Sequence, residues 1–327
     1  MKLIILIPAL NEEAVIGSVI KRMPADLYGI DSIQVLVVDD GSKDNTAQVA
    51  REAGALVISH NYNRGVGAAF RTGLEKALEL GANVMVNIDA DGQFSPDDIP
   101  TLVAPILSGK VDFVSGDRFT GNDGKRVKPE FMSSVKFWGN QQMSRLISRI
   151  VGNNYPDVSC GFRAYSREAM LKMNLTGSFT YTQESFIDLA NKGLKIRTIP
   201  VSVNYFPERK SRVAGNIFRY FVNTIKIIFR TYRDYQPLRF FGLMGLIPLV
   251  ITILTGGFVL IHYLRTGAFT PYKVVGFIGI YTLSLAILLW VVGLLADMFV
   301  RIRKNEEQLL YFQKKSQIEA RSKQEDG

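Results

Sequence analysis

The 327-residue sequence contains very little cysteine and histidine, one and two residues respectively. Cys160 alone cannot close an internal disulfide, which excludes a disulfide-stabilised scaffold. His60 and His262 lie far apart in the chain and cannot supply the clustered ligands of a structural zinc module. Because 47% of the residues are hydrophobic, a disordered chain is excluded as well.

Charged residues are absent from two long stretches, 240–264 and 274–296. Each is longer than the roughly 20 residues that an α-helix needs to cross the hydrocarbon core of a bilayer. Buried helices of soluble proteins seldom run this far without a charged residue. The sequence therefore predicts two transmembrane helices, at 240–264 and 274–300, that form a hairpin.

Acidic residues are few in 201–327, which contains 17 Lys and Arg against 8 Asp and Glu, whereas 1–200 contains 22 of each. The basic excess borders the predicted spans, so it indicates an anionic membrane surface and not nucleic acid. Its placement predicts that both chain ends, including a polar, partly helical tail at 301–327, face the cytoplasm. The apolar run 1–8 is too short for a secretory signal, so no export is expected.

Apolar residues recur at helical spacing within 214–236, just before the first span. This pattern predicts an amphipathic helix that lies in the membrane surface. A helix packed on the core of a soluble domain would show the same pattern, although Tyr232, Arg233 and Tyr235 favour the interface.

Short apolar runs alternate with helical patterns over the first two thirds of the chain. Strands are predicted at 3–7, 33–38, 56–59, 84–88 and 111–115, and helices at 12–23, 45–53 and 66–80. This order predicts an α/β domain at 1–213 with a mostly parallel sheet. Ligands bind beyond the carboxyl ends of the strands in such sheets.

Acidic residues follow three of the predicted strands, in the segments 11–12, 39–40 and 89–91. Carboxylates at close range repel each other, so a cation is expected to hold them. Mg²⁺ takes one or two carboxylates and leaves its other positions to water and phosphate, which fits Asp89 and Asp91, with Gln93 as a neutral oxygen. Helix capping is the alternative, and it does not account for Asp89 or Asp91.

The order of the motifs is more specific than any one of them. They are Ile7-Pro8-Ala9-Leu10-Asn11-Glu12-Glu13, Val37-Val38-Asp39-Asp40-Gly41-Ser42-x-Asp44-x-Thr46, Asn63-Arg64-Gly65-x-Gly67, Asp89-Ala90-Asp91-Gly92-Gln93, Gly116-Asp117-Arg118-Phe119 and Asp157-x-x-Cys160-Gly161-Phe162-Arg163. In this order they resemble the family 2 glycosyltransferases of the GT-A fold, and within them the polyprenyl-phosphate sugar transferases typified by dolichyl-phosphate mannose synthase. The resemblance covers residues 1–213, and the two spans match the membrane-bound members.

The resemblance implies a role for each motif. The nucleotide-sugar donor would be bound by Pro8, Asn11, Glu12, Asp39, Gly65 and Asp89, and the metal, Mg²⁺ or Mn²⁺, by Asp89, Asp91 and Gln93. Arg118 would face the acceptor phosphate, and Arg209, Lys210 and Arg212 would meet phosphate groups at the membrane, unless they form only a basic membrane flank. The mannose synthase pattern Arg-x-x-Gly-x-Ser-Lys is matched only as far as Arg212-x-x-Gly215, which is followed by Asn216-Ile217. This departure leaves the donor sugar open.

The acceptor determines whether a general base is needed. A phosphate monoester is already ionised near neutral pH and requires positioning and charge shielding. An alcohol acceptor would require a base, and Glu184 occupies the region where family members acting on hydroxyls carry theirs. Asp157 is a second catalytic candidate, for orienting the acceptor, and either residue could instead cap a helix.

Three other functions are compatible with parts of the sequence. Arg64-Gly65-Val66-Gly67 half-matches a dinucleotide fingerprint, but Phe70 replaces the third glycine, which disfavours a membrane-anchored NAD-dependent oxidoreductase. A non-catalytic, membrane-tethered nucleotide sensor or scaffold is disfavoured because Asp89, Asp91 and Arg118 are all present. A processive polysaccharide synthase is disfavoured because residues 183–186 lack the Gln-x-x-Arg-Trp of such enzymes.

The sequence thus predicts an inverting transferase that moves one sugar from a nucleotide-sugar to a polyprenyl phosphate, dolichyl or undecaprenyl, at the cytoplasmic membrane face. The sugar, the nucleotide and the length of the lipid stay open. A homo-oligomer is compatible with the sequence.

Overall fold

The structure, a computed structural model, describes residues 1–121, 123–174, 181–204, 229–230 and 232–325. Arg209, Lys210, Arg212 and most of the predicted helix at 214–236 lie outside these residues. The chain forms two compact units, the first containing Met1–Gly215 with Leu310–Gly327 and the second Asn216–Leu309.

Within the described part of the first unit, seven strands form one sheet in the order β3-β2-β1-β4-β6-β5-β7. The strands are β1 (Lys2–Ala9), β2 (Ser32–Asp39), β3 (Leu56–Ser59), β4 (Val84–Asn87), β5 (Phe113–Asp117), β6 (Arg163–Ser166) and β7 (Ile196–Pro200). The helices are α1 (Glu13–Lys21), α2 (Thr46–Glu52), α3 (Val66–Glu79), α4 (Ile99–Leu107), α5 (Ser134–Val151), α6 (Arg167–Lys172) and α7 (Tyr181–Asn191). Only β6 runs antiparallel to its neighbours. The predicted α/β fold with a mostly parallel sheet is confirmed.

The central strand β1 explains why the sequence shows the first strands so clearly. Residues 3–7 are fully buried, and β1 pairs in parallel with β2 and β4. Strands covered on both faces read as continuous apolar runs. Helix α3 packs so closely on β1 that a Cβ at Gly73 would overlap a methyl carbon of Leu6.

The second unit contains α8 (Pro237–Thr266) and the first part of α9 (Lys273–Glu325). Both helices are long and apolar enough to cross a membrane. They pack through small and hydroxyl side chains. Trp290 lies against Gly245, where a Cβ would approach its ring nitrogen to 2.6 Å, and the hydroxyls of Thr252 and Thr282 are 2.8 Å apart. Such contacts are typical of helix pairs in lipid.

The end of α9 differs from the predicted polar tail at 301–327. The helix continues to Glu325, and residues 310–327 belong to the first unit. The hydroxyl of Tyr311 donates to Glu168 (3.0 Å), and Lys314 Nζ donates to Asn174 Oδ1 (2.8 Å). Both contacts fasten the helix to α6 and the residues after it.

We predict that Lys314→Ala releases the last turns of α9, because it removes a charged donor from two acceptors, Asn174 Oδ1 and Met173 O. Amide hydrogen exchange of residues 310–318 should become about fivefold faster. The adjacent Lys315 is exposed, so Lys315→Ala is the matched control and should leave exchange unchanged. Equal acceleration in both variants would contradict the docking.

Candidate active site

Three loops meet at one edge of the sheet because β1, β2 and β4 are adjacent parallel strands. The register pairs Ala9 with Asp39 and Leu6 with Asn87, so the loops that follow these strands begin side by side. Pro8 lies within β1 itself. The sheet edge expected from the sequence is therefore present.

A series of hydrogen bonds through Ser42 joins Asn11 to Asp39. Asn11 has a positive φ of 50°, and its N–H donates to Ser42 Oγ (2.8 Å). Ser42 N–H donates in turn to Asp39 Oδ1 (3.1 Å), and Glu12 N–H donates to Thr46 Oγ1 (2.7 Å). The loops after β1 and β2 thus form a single surface that carries three of the predicted donor residues.

Asp89 and Asp91 lie in the turn after β4, where Gln93 N–H donates to Asp91 Oδ1 (3.0 Å). Burial, and then the negative charge of Asp91, raise the pKa of Asp89 to about 7. The positive charges of Arg118 and Arg163 lower it. The two carboxylates are therefore close enough to destabilise each other's ionised form.

This carboxylate pair fits a divalent cation. No cluster of three or more His, Cys, Asp or Glu side chains that could hold a metal occurs among the residues described here. Mg²⁺ and similar ions need only one or two carboxylates when phosphate oxygens complete their coordination. A cation would relieve the repulsion that raises the pKa of Asp89.

A glycine forms the wall behind Asp89. A Cβ at Gly161 would lie 2.8 and 2.9 Å from the two carboxylate oxygens of Asp89. Asn87 Nδ2 donates to Gly161 O (2.8 Å) and to the hydroxyl of Tyr181 (3.2 Å). Tyr181 begins α7, so the first turn of that helix, which contains Glu184, lies beside the acidic turn.

Arg118 and Asp157 form a buried ion pair. Arg118 Nε and Nη2 donate to the two oxygens of Asp157 at 2.7 and 3.1 Å, and Ser159 N–H adds a bond of 2.9 Å. Asp157 is fully buried, and the hydrogen bonds to its two oxygens orient Arg118, which directly follows β5. Burial and the positive charge of Arg118 lower the pKa of Lys136, a nearby cation that sequence reasoning missed.

Arg163 is fully buried and binds neutral acceptors. It donates to the carbonyl oxygens of Cys160 (2.6 Å), Val158 (2.9 Å) and Thr182 (2.7 Å), and to Ser185 Oγ (2.5 Å). Its guanidinium also lies over the rings of Phe113 and Phe186. Arg163 thereby ties the loop after Asp157 to α7. The sequence contained it in a motif but gave no signal for this role.

Gly65 precedes α3 with a φ of 91°, which favours glycine. Its N–H donates to Asp40 Oδ2 (2.8 Å) and to Asn63 Oδ1 (2.9 Å). Phe70, farther along α3, is fully buried and stacks on Tyr181 with ring centroids 4.5 Å apart. Phe70, which stands where a dinucleotide fingerprint has its third glycine, is thus part of the hydrophobic core.

Cys160 is fully buried next to this region. Burial raises the pKa of its thiol to about 12. The thiolate, which is the nucleophilic form, is therefore negligible at neutral pH.

The comparison with known proteins decides the family. The model of glycosyl transferase family 2 matches residues 4–173, which is more than half of the chain. The chain belongs to glycosyl transferase family 2. The matched region of this glycosyltransferase includes Asp39, Asp89, Arg118 and Asp157, whereas Glu184 lies beyond it.

Two relatives of the glycosyltransferase have names that specify a polyprenol or a dolichyl phosphate. It is 34% identical to a UDP-N-acetylglucosamine–dolichyl-phosphate N-acetylglucosaminyltransferase of Methanococcus voltae, over 62% of this chain and 85% of the relative. It is 27% identical to a polyprenol monophosphomannose synthase of Mycolicibacterium smegmatis, over 66% of this chain and 82% of the relative.

A solved structure shares the fold. The glucosyl-3-phosphoglycerate synthase of Mycobacterium tuberculosis, crystallised with Mn²⁺ and UDP, superposes with a TM-score of 0.52 at 23% identity. The match covers 69% of this chain and 79% of the other.

We predict that Mn²⁺ binding to the glycosyltransferase depends on the proton of Asp89. A carboxyl with a pKa near 7 must lose its proton before it binds a cation, so the affinity should fall about tenfold for each pH unit below 7 and level off above about 8. Titration calorimetry at several pH values measures this slope.

Asp89→Asn should weaken the binding and remove the slope. Asp98→Asn is the control, because burial also raises the pKa of Asp98, which accepts from Ser202 N–H. The same linkage makes the metal-free protein less stable as pH rises from about 4 to 7, since the folded state holds the extra proton in that range. A slope that survives Asp89→Asn would contradict the assignment.

Proposed function

We propose that this glycosyltransferase moves one sugar from a nucleotide-sugar to a polyprenyl phosphate, with inversion at the anomeric carbon. The observation that carries the proposal is the position of the acidic pair, Asp89 and Asp91, within the electrostatic range of the Arg118–Asp157 ion pair. A cation site thus adjoins a guanidinium that suits an anion. The names of the relatives, which specify dolichyl phosphate and polyprenol, support the lipid acceptor.

The donor half of the site is formed by the loops after β1 and β2, which hydrogen bonds join. Asp39 is 4% exposed and is oriented by Ser42 N–H, so its remaining acceptor capacity suits an N–H group of a base. Asn11 and Glu12 lie beside Asp39 in the loop after β1. Gly65, in the loop after β3, donates its N–H to the neighbouring Asp40. We infer that the nucleoside binds here and that its diphosphate extends toward Asp91.

Asp89, Asp91 and Gln93 would hold Mg²⁺ or Mn²⁺ at the diphosphate. Bound there, the ion neutralises the charge that develops on the leaving nucleoside diphosphate. The Mn²⁺ in the crystal structure of similar fold supports a divalent metal without distinguishing the two ions.

The acceptor half of the site is Arg118. An oxygen of the lipid phosphate attacks the anomeric carbon as the bond to the nucleoside diphosphate breaks, and no proton has to be removed from an ionised phosphate. Arg118, held by Asp157, orients that phosphate and shields its charge. Asp157 already accepts from Arg118 and Ser159, which suits it to orientation and not to proton transfer.

The contacts of α9 support the proposed side of the membrane. Residues 310–318 follow the second span and pack within the first unit, so the chain after that span shares a compartment with the catalytic residues. The basic flanks Arg301, Arg303 and Lys304 support the cytoplasmic side.

The test is transfer from UDP-glucose, GDP-mannose and UDP-GlcNAc to a polyprenyl phosphate, with Mg²⁺ or Mn²⁺. We expect one donor to give a lipid-linked sugar of inverted configuration, and Asp91→Ala or EDTA to reduce the rate at least a hundredfold. Transfer that survives both treatments would refute the metal role. Absence of transfer from every donor to the lipid would count against the proposed acceptor and donor classes.

We predict that Arg118→Ala raises the KM for polyprenyl phosphate more than tenfold and leaves the KM for the nucleotide-sugar within about threefold, because a charge-assisted contact to the phosphate is lost. Arg167→Ala is the matched control. Arg167 donates to Ala82 O at the opposite end of β6 and should leave the lipid KM unchanged. An unchanged lipid KM in Arg118→Ala would remove Arg118 from the acceptor site.

Glu184→Gln separates the phosphate acceptor from the hydroxyl alternative. With an ionised phosphate as nucleophile, we predict a loss of kcat of less than about threefold. If Glu184 were a general base, Glu184→Gln would lower kcat by about a hundredfold or more. The rate of the native enzyme would then rise with pH, and the rate of the variant would not. Single-turnover kinetics across pH 6 to 9 distinguish the two results.

A further inference from the structure

A histidine with a largely buried side chain lies beside the turn after β2 that contains Asp39. His60 follows β3, and its side chain is only 6% exposed. Nδ1 lies 2.7 Å from Asp40 Oδ1, and Nε2 lies 3.0 Å from Thr72 Oγ1. Both oxygens of Asp40 also accept from backbone N–H groups, and this geometry assigns the donor role to the Nδ1–H of His60. The ring is therefore oriented from both sides.

Asp40 extends this constraint to the backbone before α3. Its Oδ1 accepts from Arg64 N–H (3.0 Å) and its Oδ2 accepts from Gly65 N–H (2.8 Å). Asp40 is 3% exposed, so water cannot replace a lost donor at low cost. Removal of the imidazole N–H would shift Asp40 and, with it, the peptide groups of residues 64 and 65.

The same histidine holds the turn that contains Asp39. His60 N–H donates to Asp39 O (2.9 Å). A Cβ at Gly41 would lie 2.5 Å from the carbonyl carbon of Tyr62, so the turn at 39–42 and the loop at 60–65 are in backbone contact. His60, the first residue of the loop at 60–65, thus joins this loop to the turn at 39–42 through its backbone N–H and its side chain.

We propose that His60 is a positioning residue for the nucleotide part of the donor. It acts through Asp40, whose carboxylate keeps the Asp39 turn and Gly65 at the separation that a bound nucleotide requires. The inference rests on the proposed function, because it takes Asp39 and Gly65 as donor residues. No role for the His60–Asp40 pair follows from the sequence motifs.

Two substitutions separate positioning from packing. The side-chain nitrogen of asparagine occupies the place of Nδ1, so His60→Asn can still donate to Asp40. The side-chain nitrogen of glutamine occupies the place of Nε2, so His60→Gln cannot. UDP and GDP, each with Mn²⁺, are titrated into the full-length protein in detergent, and KM and kcat are measured with the donor found in the transfer assay.

We expect His60→Gln to raise the nucleotide Kd and the donor KM about tenfold, with kcat and the lipid KM within about twofold of the native values. His60→Asn should restore Kd and KM to within about threefold. The proposal would be overturned if the two substitutions changed Kd and KM equally. It would also be overturned if kcat fell in proportion to a loss of melting temperature, because His60 would then have a structural role only.

The native protein distinguishes the two levels of inference. If it binds neither UDP nor GDP, the proposed function fails, together with the role of His60. If it binds a nucleotide and transfers sugar while His60→Gln behaves like the native protein, only the role of His60 is refuted.

Discussion

Electrostatic repulsion between Asp89 and Asp91 is the constraint on which the rest of the catalytic unit depends. The pair follows β4, a buried strand, and Gly161 packs closely against the carboxylate of Asp89. Burial, and then this repulsion, raise the pKa of Asp89 and favour its protonated form at moderately acidic pH. Nearby guanidinium groups offset part of this penalty, and a bound divalent cation would offset more of it. This charge distribution is the reason for proposing that a metal diphosphate binds here.

The two arginines near the acidic turn have different environments and therefore different uses. Arg163 is fully buried, with carbonyl and hydroxyl acceptors and two aromatic rings around it, so it stabilises the loop and α7 without facing a ligand. Arg118 retains 11% side-chain exposure and is fixed by a carboxylate. A guanidinium whose direction is set before the ligand arrives loses less conformational entropy on binding.

The sequence was sufficient for the parts of the fold that have strong periodicity. Strands β1 to β5 and the two apolar helices carry continuous hydrophobic runs, and the α/β fold predicted from them is confirmed, as is the family. Strands β6 and β7 were not predicted, because β6 is short and begins with the charged Arg163, and β7 is only partly buried. The docking of 310–318 was missed because its contacts come from Tyr311 and Lys314 within a polar pattern. The Arg118–Asp157 and His60–Asp40 pairs join residues distant in the chain, and no local pattern reveals which carboxylate meets which cation. The individual site roles remain predictions.

The burial of Cys160 has a practical consequence for spectroscopy. It is the only cysteine of the chain, and its thiol is both inaccessible and almost entirely protonated at neutral pH. Maleimide dyes and nitroxide spin labels will therefore react with a cysteine engineered on the surface and leave the native one untouched. Distances between chosen points of this enzyme can be followed during turnover without first constructing a cysteine-free background.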